Sequence, residues 1–98
     1  MSVTTDSVLV QDTEPRAAEV GGDVVLLSLR AGSYFGFNRV ASEIWNMLAA
    51  PCRVGQIFVS LAQRHVVDAE TLARDVTPFL QTLLEQNLVR VIHPGDPR

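Results

Sequence analysis

Three short extended segments followed by three amphipathic helical ones predict an α+β chain: a three-stranded antiparallel sheet, then three helices. The extended signals fall between residues 16 and 37, the helical ones between 39 and 86. Gly21-Gly22 and Gly32 separate the strands, and Asn38, Pro51 and Asp68 punctuate the helices. At 98 residues and 47% hydrophobic content, the chain has the size of one domain with a single core.

The first residues, 1–15, form an N-terminal arm. They are polar apart from Val8-Leu9-Val10, a triplet that is either a short strand docked on the core or part of a loose arm. Pro15 blocks regular structure there. Arg16–Val20 is the first strand of the sheet. Gly21-Gly22-Asp23 is a tight hairpin turn, because glycine reaches positive φ without a steric cost. Val24–Leu29 is the strongest strand signal, β-branched and apolar on both faces. Arg30-Ala31-Gly32 turns the chain again, and Ser33–Phe37 is the third strand. Alternation puts Phe35 and Phe37 on the core face and Tyr34 on the other.

Asn38 suits a helix N-cap. The first helix spans 39–50, with Val40, Ala41, Ile44, Trp45 and Leu48 on one face. Pro51 ends it. The second spans about 54–64, with Val54, Ile57, Phe58 and Leu61 inward. After the link His65-Val66-Val67, Asp68 caps the third, which runs to about Gln86. Its apolar positions are Leu72, Ala73, Val76, Phe79, Leu80, Leu83 and Leu84. Pro78 inside it predicts a kink or a local break. Asn87 fits a left-handed C-cap. Leu88–Ile92 is a final extended segment, and 93–98 a tail. Helices two and three with their tight link read as a helix-turn-helix, and the hairpins as its wing.

Charge and composition exclude several functions. No apolar run approaches the roughly 18 residues of a membrane span. Met1-Ser2-Val3-Thr4-Thr5-Asp6 has no basic stretch leading into an apolar one, so no signal peptide and a cytoplasmic location are expected. The lone Cys52 has no internal disulfide partner and no evident His partner to make it a nucleophile. No Cys/His cluster has metal spacing, and no cofactor is expected. His65 at a helix end and His93 in the tail read as surface residues. Gly21-Gly22 precedes a strand, not the helix a phosphate loop requires. The carboxylates are scattered, so no acid/base pair emerges and no enzyme is predicted. All eight basic residues are Arg, as a GC-rich, bacterial coding sequence would give.

A helix-turn-helix raises DNA binding. Between Val54 and Gln86, however, Arg64 and Arg74 face four acids, Asp68, Glu70, Asp75 and Glu85, and the net charge is -3. Such a recognition helix would repel phosphate. Peptide binding fits better. The third strand has an outer edge that templates another strand unless the arm or the final segment covers it. With the third helix beside it, that edge would form a groove of main-chain groups on one wall and apolar side chains on the other. The alternative is that Tyr34, Phe35 and Phe37 serve only the core.

The run Val24–Asn38, followed by Ala41, Ile44-Trp45 and Leu48, resembles the PqqD-like family, the leader-peptide recognition domains of ribosomally made peptide natural products. Ala73-Arg74-Asp75-Val76, Phe79-Leu80, Leu83-Leu84 and Asn87-Leu88-Val89 continue the resemblance, which covers residues 16–92. Departures are Phe37, where leucine is usual, Ala41-Ser42, where glycine is common, and Pro78. The resemblance implies a winged helix-turn-helix that does no chemistry. It implies leader binding by strand addition on the third strand against the third helix. Ser33, Tyr34, Phe35, Gly36 and Phe37 would then serve the edge, and Asp75, Val76, Phe79 and Leu83 the helical wall. Free-standing members of this size resemble the small B1 proteins of lasso-peptide clusters. Partners there are a leader peptidase of the cysteine-protease type and an ATP-dependent cyclase; neither nucleic acid nor membrane is implied. The other free-standing class serves a radical-SAM maturase, as in pyrroloquinoline quinone synthesis.

Overall fold

A computed structural model describes residues 4–30 and 32–92; Ala31, His93 and the rest of the tail lie outside the described residues, as do Met1–Val3. The elements are β1 (Val8–Gln11), β2 (Arg16–Val20), β3 (Asp23–Ser28), β4 (Ser33–Gly36), α1 (Arg39–Met47), β5 (Cys52–Arg53), α2 (Val54–Arg64), α3 (Ala69–Glu85) and β6 (Val89–Ile92). The α+β class and the three helices are as expected. The expected three-stranded antiparallel sheet forms as β2-β3-β4, and a second, not expected, forms as β5-β1-β6.

The first sheet is the expected meander. Gly21 (φ 62°) and Gly22 (φ 92°) make the β2–β3 turn in the left-handed region that favours glycine. On β3, Val24, Leu26 and Ser28 are buried on one face, while Val25 and Leu27 are half-buried on the other. The β3–β4 turn is held from outside. The Glu14 carboxylate accepts from the Ser28 hydroxyl (2.9 Å) and from the main-chain N–H of Leu29 (2.8 Å) and Arg30 (3.2 Å).

The second sheet comes from the N-terminal segment. Of its two alternatives, the docked strand is the one that forms. Leu9 is fully buried, and β1 pairs with β6 along its length and with the two-residue β5. The segment also satisfies groups that helix ends leave unpaired. Gln11 donates its main-chain N–H to the Leu48 carbonyl (2.8 Å) and its side-chain amide to the Trp45 carbonyl (2.7 Å) at the end of α1. The N–H groups of Val54 and Gly55, opening α2, donate to the carbonyls of Ser7 (2.9 Å) and Thr5 (3.0 Å). Arg53 provides no side-chain cap, so main chain takes that role.

The caps on α1 and α3 follow the sequence. Asn38 accepts from the Ala41 N–H (2.8 Å), and Asp68 from the Thr71 N–H (2.7 Å). Helix α1 stops at Met47, short of the expected Ala50, and the chain turns into β5 before α2. Helix α3 runs unbroken across Pro78, so of the expected kink or local break the break does not form. Proline removes a single i→i−4 bond, while the buried Val76, Leu80 and Leu83 hold both halves on the core. Ala73, one of the apolar positions of this helix, is exposed. Asn87 (φ 59°) closes the helix, with Asn87 N–H to Leu84 O at 3.1 Å and Leu88 N–H to Leu83 O at 2.9 Å, a Schellman arrangement.

The core joins both sheets to all three helices. Leu9, Leu26, Leu48, Ile57, Leu61, Leu80 and Leu88 are fully buried; each such side chain stabilises by about 1.5–3 kcal/mol. No helix among the described residues is long and apolar enough to cross a membrane.

Candidate functional site

Among the described residues β4 pairs with β3 alone, so its second edge is uncovered by any strand. β1 and β6, which could have covered it, pair with each other. The orientation of its main-chain groups follows from the register. Leu26 opposes Phe35 and Ser28 opposes Ser33; the next step places Val24 opposite Phe37, whose N–H donates to the Val24 carbonyl at 2.9 Å. Antiparallel ladders alternate bonded and non-bonded pairs. Ser33, Phe35 and Phe37 therefore turn their N–H and C=O toward β3. Tyr34 and Gly36 turn theirs outward, as donors and acceptors for another strand.

The ladder ends in an unusual way. Ser42 on α1 is buried, and its hydroxyl accepts from the Val24 N–H (2.8 Å) and lies 3.4 Å from the Phe37 carbonyl oxygen, to which it donates. A side-chain hydroxyl thus stands where a direct Val24–Phe37 bond would complete the pair. It fixes the angle at which β4 leaves the sheet for α1.

Beyond that end lies a groove of about 360 Å3 between the start of α1 and residues 72–79 of α3. Val40, Ala41, Ile44, Leu72, Val76 and Phe79 give it an apolar floor, and Asn38, His65, Val67 and Asp75 complete its rim. Phe37 joins strand to groove. Its ring meets Phe79 edge-on at 5.2 Å and 84°, and Trp45 at 6.0 Å and 58°. At the rim, His65 Nε2 lies 3.1 Å from Glu43 Oε1, and Arg64 lies 3.8 Å from the same oxygen. A larger hollow of about 500 Å3 along Ala62–Asp68 is more open and far more polar. A third, of about 350 Å3, runs beside β6. The apolar groove is the candidate site because its lining starts at Asn38, two residues after β4, and includes Phe79, which meets Phe37.

The predicted site residues divide accordingly. Ser33, Tyr34 and Gly36 are exposed, Tyr34 at 76%. Phe35 is half-buried against the core and Phe37 is buried. The side chains of Phe35 and Phe37 thus serve the core, and the outward main chain of Tyr34 and Gly36 is what remains for recognition. Asp75, Val76 and Phe79 line the groove together. Leu83, expected to share in the wall, is 1% exposed and belongs to the core. Asn38, Val40, Ala41, Ile44, His65, Val67 and Leu72 also line the groove without having been assigned to it. Val40 and Ala41 carried a signal: apolar residues in the first turn of a helix directly after an edge strand. His65 carried none, because its place depends on the fold of the α2–α3 link.

Burial pushes the Cys52 thiol up, away from the reactive thiolate. No group of His, Cys, Asp and Glu among the described residues could hold a metal ion.

A solved structure, "TbiB1 in Complex with the TbiA(beta) Leader Peptide", matches with a TM-score of 0.74 and 30% identity, over 91% of this chain and 99% of that one. No curated protein matches the sequence. The family model described as "Coenzyme PQQ synthesis protein D (PqqD)" matches residues 23–89, from β3 to the start of β6. The chain belongs to the PqqD family.

Proposed function

We propose that this protein binds the leader segment of a ribosomally synthesised precursor peptide and presents it to processing enzymes, doing no chemistry itself. The leader adds as a strand to the outer edge of β4, bonding to Tyr34 and Gly36, and sends side chains into the groove under Asp75, Val76 and Phe79. The observation that carries this reading is the uncovered β4 edge followed, from Asn38 onward, by an apolar groove between α1 and α3. The likeness to TbiB1, whose structure holds a leader peptide, supports it. Main-chain bonds hold the peptide and the groove selects its side chains.

The system served is lasso-peptide biosynthesis, with a cysteine-protease leader peptidase and an ATP-dependent cyclase as the following enzymes. The resemblance to free-standing B1 proteins supports this. The second reading, delivery to a radical-SAM maturase, is favoured by the family's own description as a coenzyme PQQ synthesis protein. The genes adjoining this one distinguish the two.

The test is a titration with the leader of the precursor encoded beside this gene. Binding at micromolar concentration or tighter, with no cleavage of the peptide, is expected. Absence of binding to every neighbouring precursor would sink the proposal.

A further inference from the structure

We infer that Asp75 is a specificity determinant of this groove, selecting peptides that carry a Lys or Arg two positions from the apolar residue seated against Phe79. The inference rests on the reading of the groove as a peptide site and adds the chemistry of what it accepts.

Three observations carry it. The first is electrostatic. Of the residues lining the groove, Asp75 and His65 are the only ones that can carry charge. His65 is engaged by Glu43, which also holds Arg64. Asp75 is exposed, and among the described residues no hydrogen bond or ion pair engages its carboxylate. Its helix neighbours one turn away, Thr71, Leu72, Pro78 and Phe79, include no base. The groove thus presents an unanswered negative charge above an apolar floor.

The second is metric. Asp75 and Phe79 are four residues apart on α3, so about 6 Å apart along its axis. Same-facing side chains on an extended peptide recur every about 6.7 Å. A strand lying along α3 that places one side chain on Phe79 therefore brings the next same-facing one to Asp75.

The third is chemical. Lys and Arg have apolar stems that lie on surfaces such as Val76 and Phe79 while the charged head stays in water. A rim carboxylate over an apolar wall suits that shape; an acidic side chain there would be repelled.

The test is selection from a display library of random short peptides on the intact protein and on Asp75→Asn, both checked for fold by circular dichroism. Peptides enriched on the unaltered protein should carry Lys or Arg two positions from an apolar residue, and that preference should vanish on Asp75→Asn. One enriched peptide, made synthetically, should bind Asp75→Asn about three- to five-fold more weakly. Its Lys→Glu version should recover binding on Asp75→Lys. Equal charge composition on both proteins, or no recovery in the reversed pair, would overturn the assignment while leaving peptide binding intact. Enrichment of no peptide at all would overturn the functional reading beneath it.

Discussion

Phe37 and Phe79 meet edge-on with ring centroids 5.2 Å apart, and this contact ties the residue just after β4 to the middle of α3. Phe37 also leans on Trp45, so one ring fixes β4 against two helices. Phe37→Ala should cost about 3–5 kcal/mol, because the ring is 8% exposed in the core. Phe79→Ala, at a half-buried groove position, should cost about 0.5–3 kcal/mol and weaken peptide binding more than stability. A double-mutant cycle by denaturant unfolding should return a coupling of about 0.5–1.5 kcal/mol for the pair. A coupling near zero would mean the rings are neighbours without being partners.

Ser42 should behave as a hinge pin for the same strand. Ser42→Ala leaves the Val24 N–H buried without its acceptor, at a cost of about 1–3 kcal/mol. Urea unfolding measures it. A neutral Ser42→Ala would show that Val24 reaches the Phe37 carbonyl directly once the hydroxyl is gone.

What could be read from the sequence was local. The meander follows from glycine turns and β-branched runs, and the Asn38, Asp68 and Asn87 caps are decided within a few residues. What could not be read was made by distant partners. Val8-Leu9-Val10 gives no hint that β6 and β5 will flank it, or that Thr5, Ser7 and Gln11 will serve the ends of α1 and α2. The site divides the same way. Tyr34, Asp75 and Phe79 were legible from alternation, helical spacing and family resemblance, whereas His65 enters only through the α2–α3 link. The outward direction of the Tyr34 and Gly36 amides needed the register with β3.

Glu14 makes the β3–β4 turn sensitive to acid. Desolvation pushes its carboxyl up. Hydrogen bonds from the Ser28 hydroxyl and from the Arg30 and Leu29 N–H groups, with the Arg30 charge, outweigh that and hold it below its ordinary value of 4.5. A carboxyl lowered on folding contributes stability above its ordinary pKa and loses it as pH falls through the folded value. Asp68, lowered by the Thr71 N–H, acts in the same direction. Thermal unfolding should therefore show Glu14→Gln less stable than the parent at neutral pH, the gap closing as pH drops below the carboxyl range. A gap that persists in acid would assign Glu14 a role independent of its charge.

Proline separates the two edges of β4. Tyr34→Pro removes an outward N–H and should leave the ladder to β3 standing while peptide binding falls sharply; Tyr34→Ala, which keeps the N–H, should retain binding. Phe35→Pro removes an inward N–H and a core ring together, and should unfold the protein. Circular dichroism with a binding titration reports both. Unimpaired binding by a folded Tyr34→Pro would place the peptide elsewhere.

Amide hydrogen exchange, followed residue by residue with and without bound leader peptide, tests strand addition most directly. In the free protein, the inward amides of Phe35 and Phe37 should exchange slowly and those of Tyr34 and Gly36 fast. On binding, Tyr34 and Gly36 should become protected, with smaller changes at Asp75, Val76 and Phe79. Protection appearing along β2 or β6 instead, with Tyr34 and Gly36 still exchanging freely, would contradict the account.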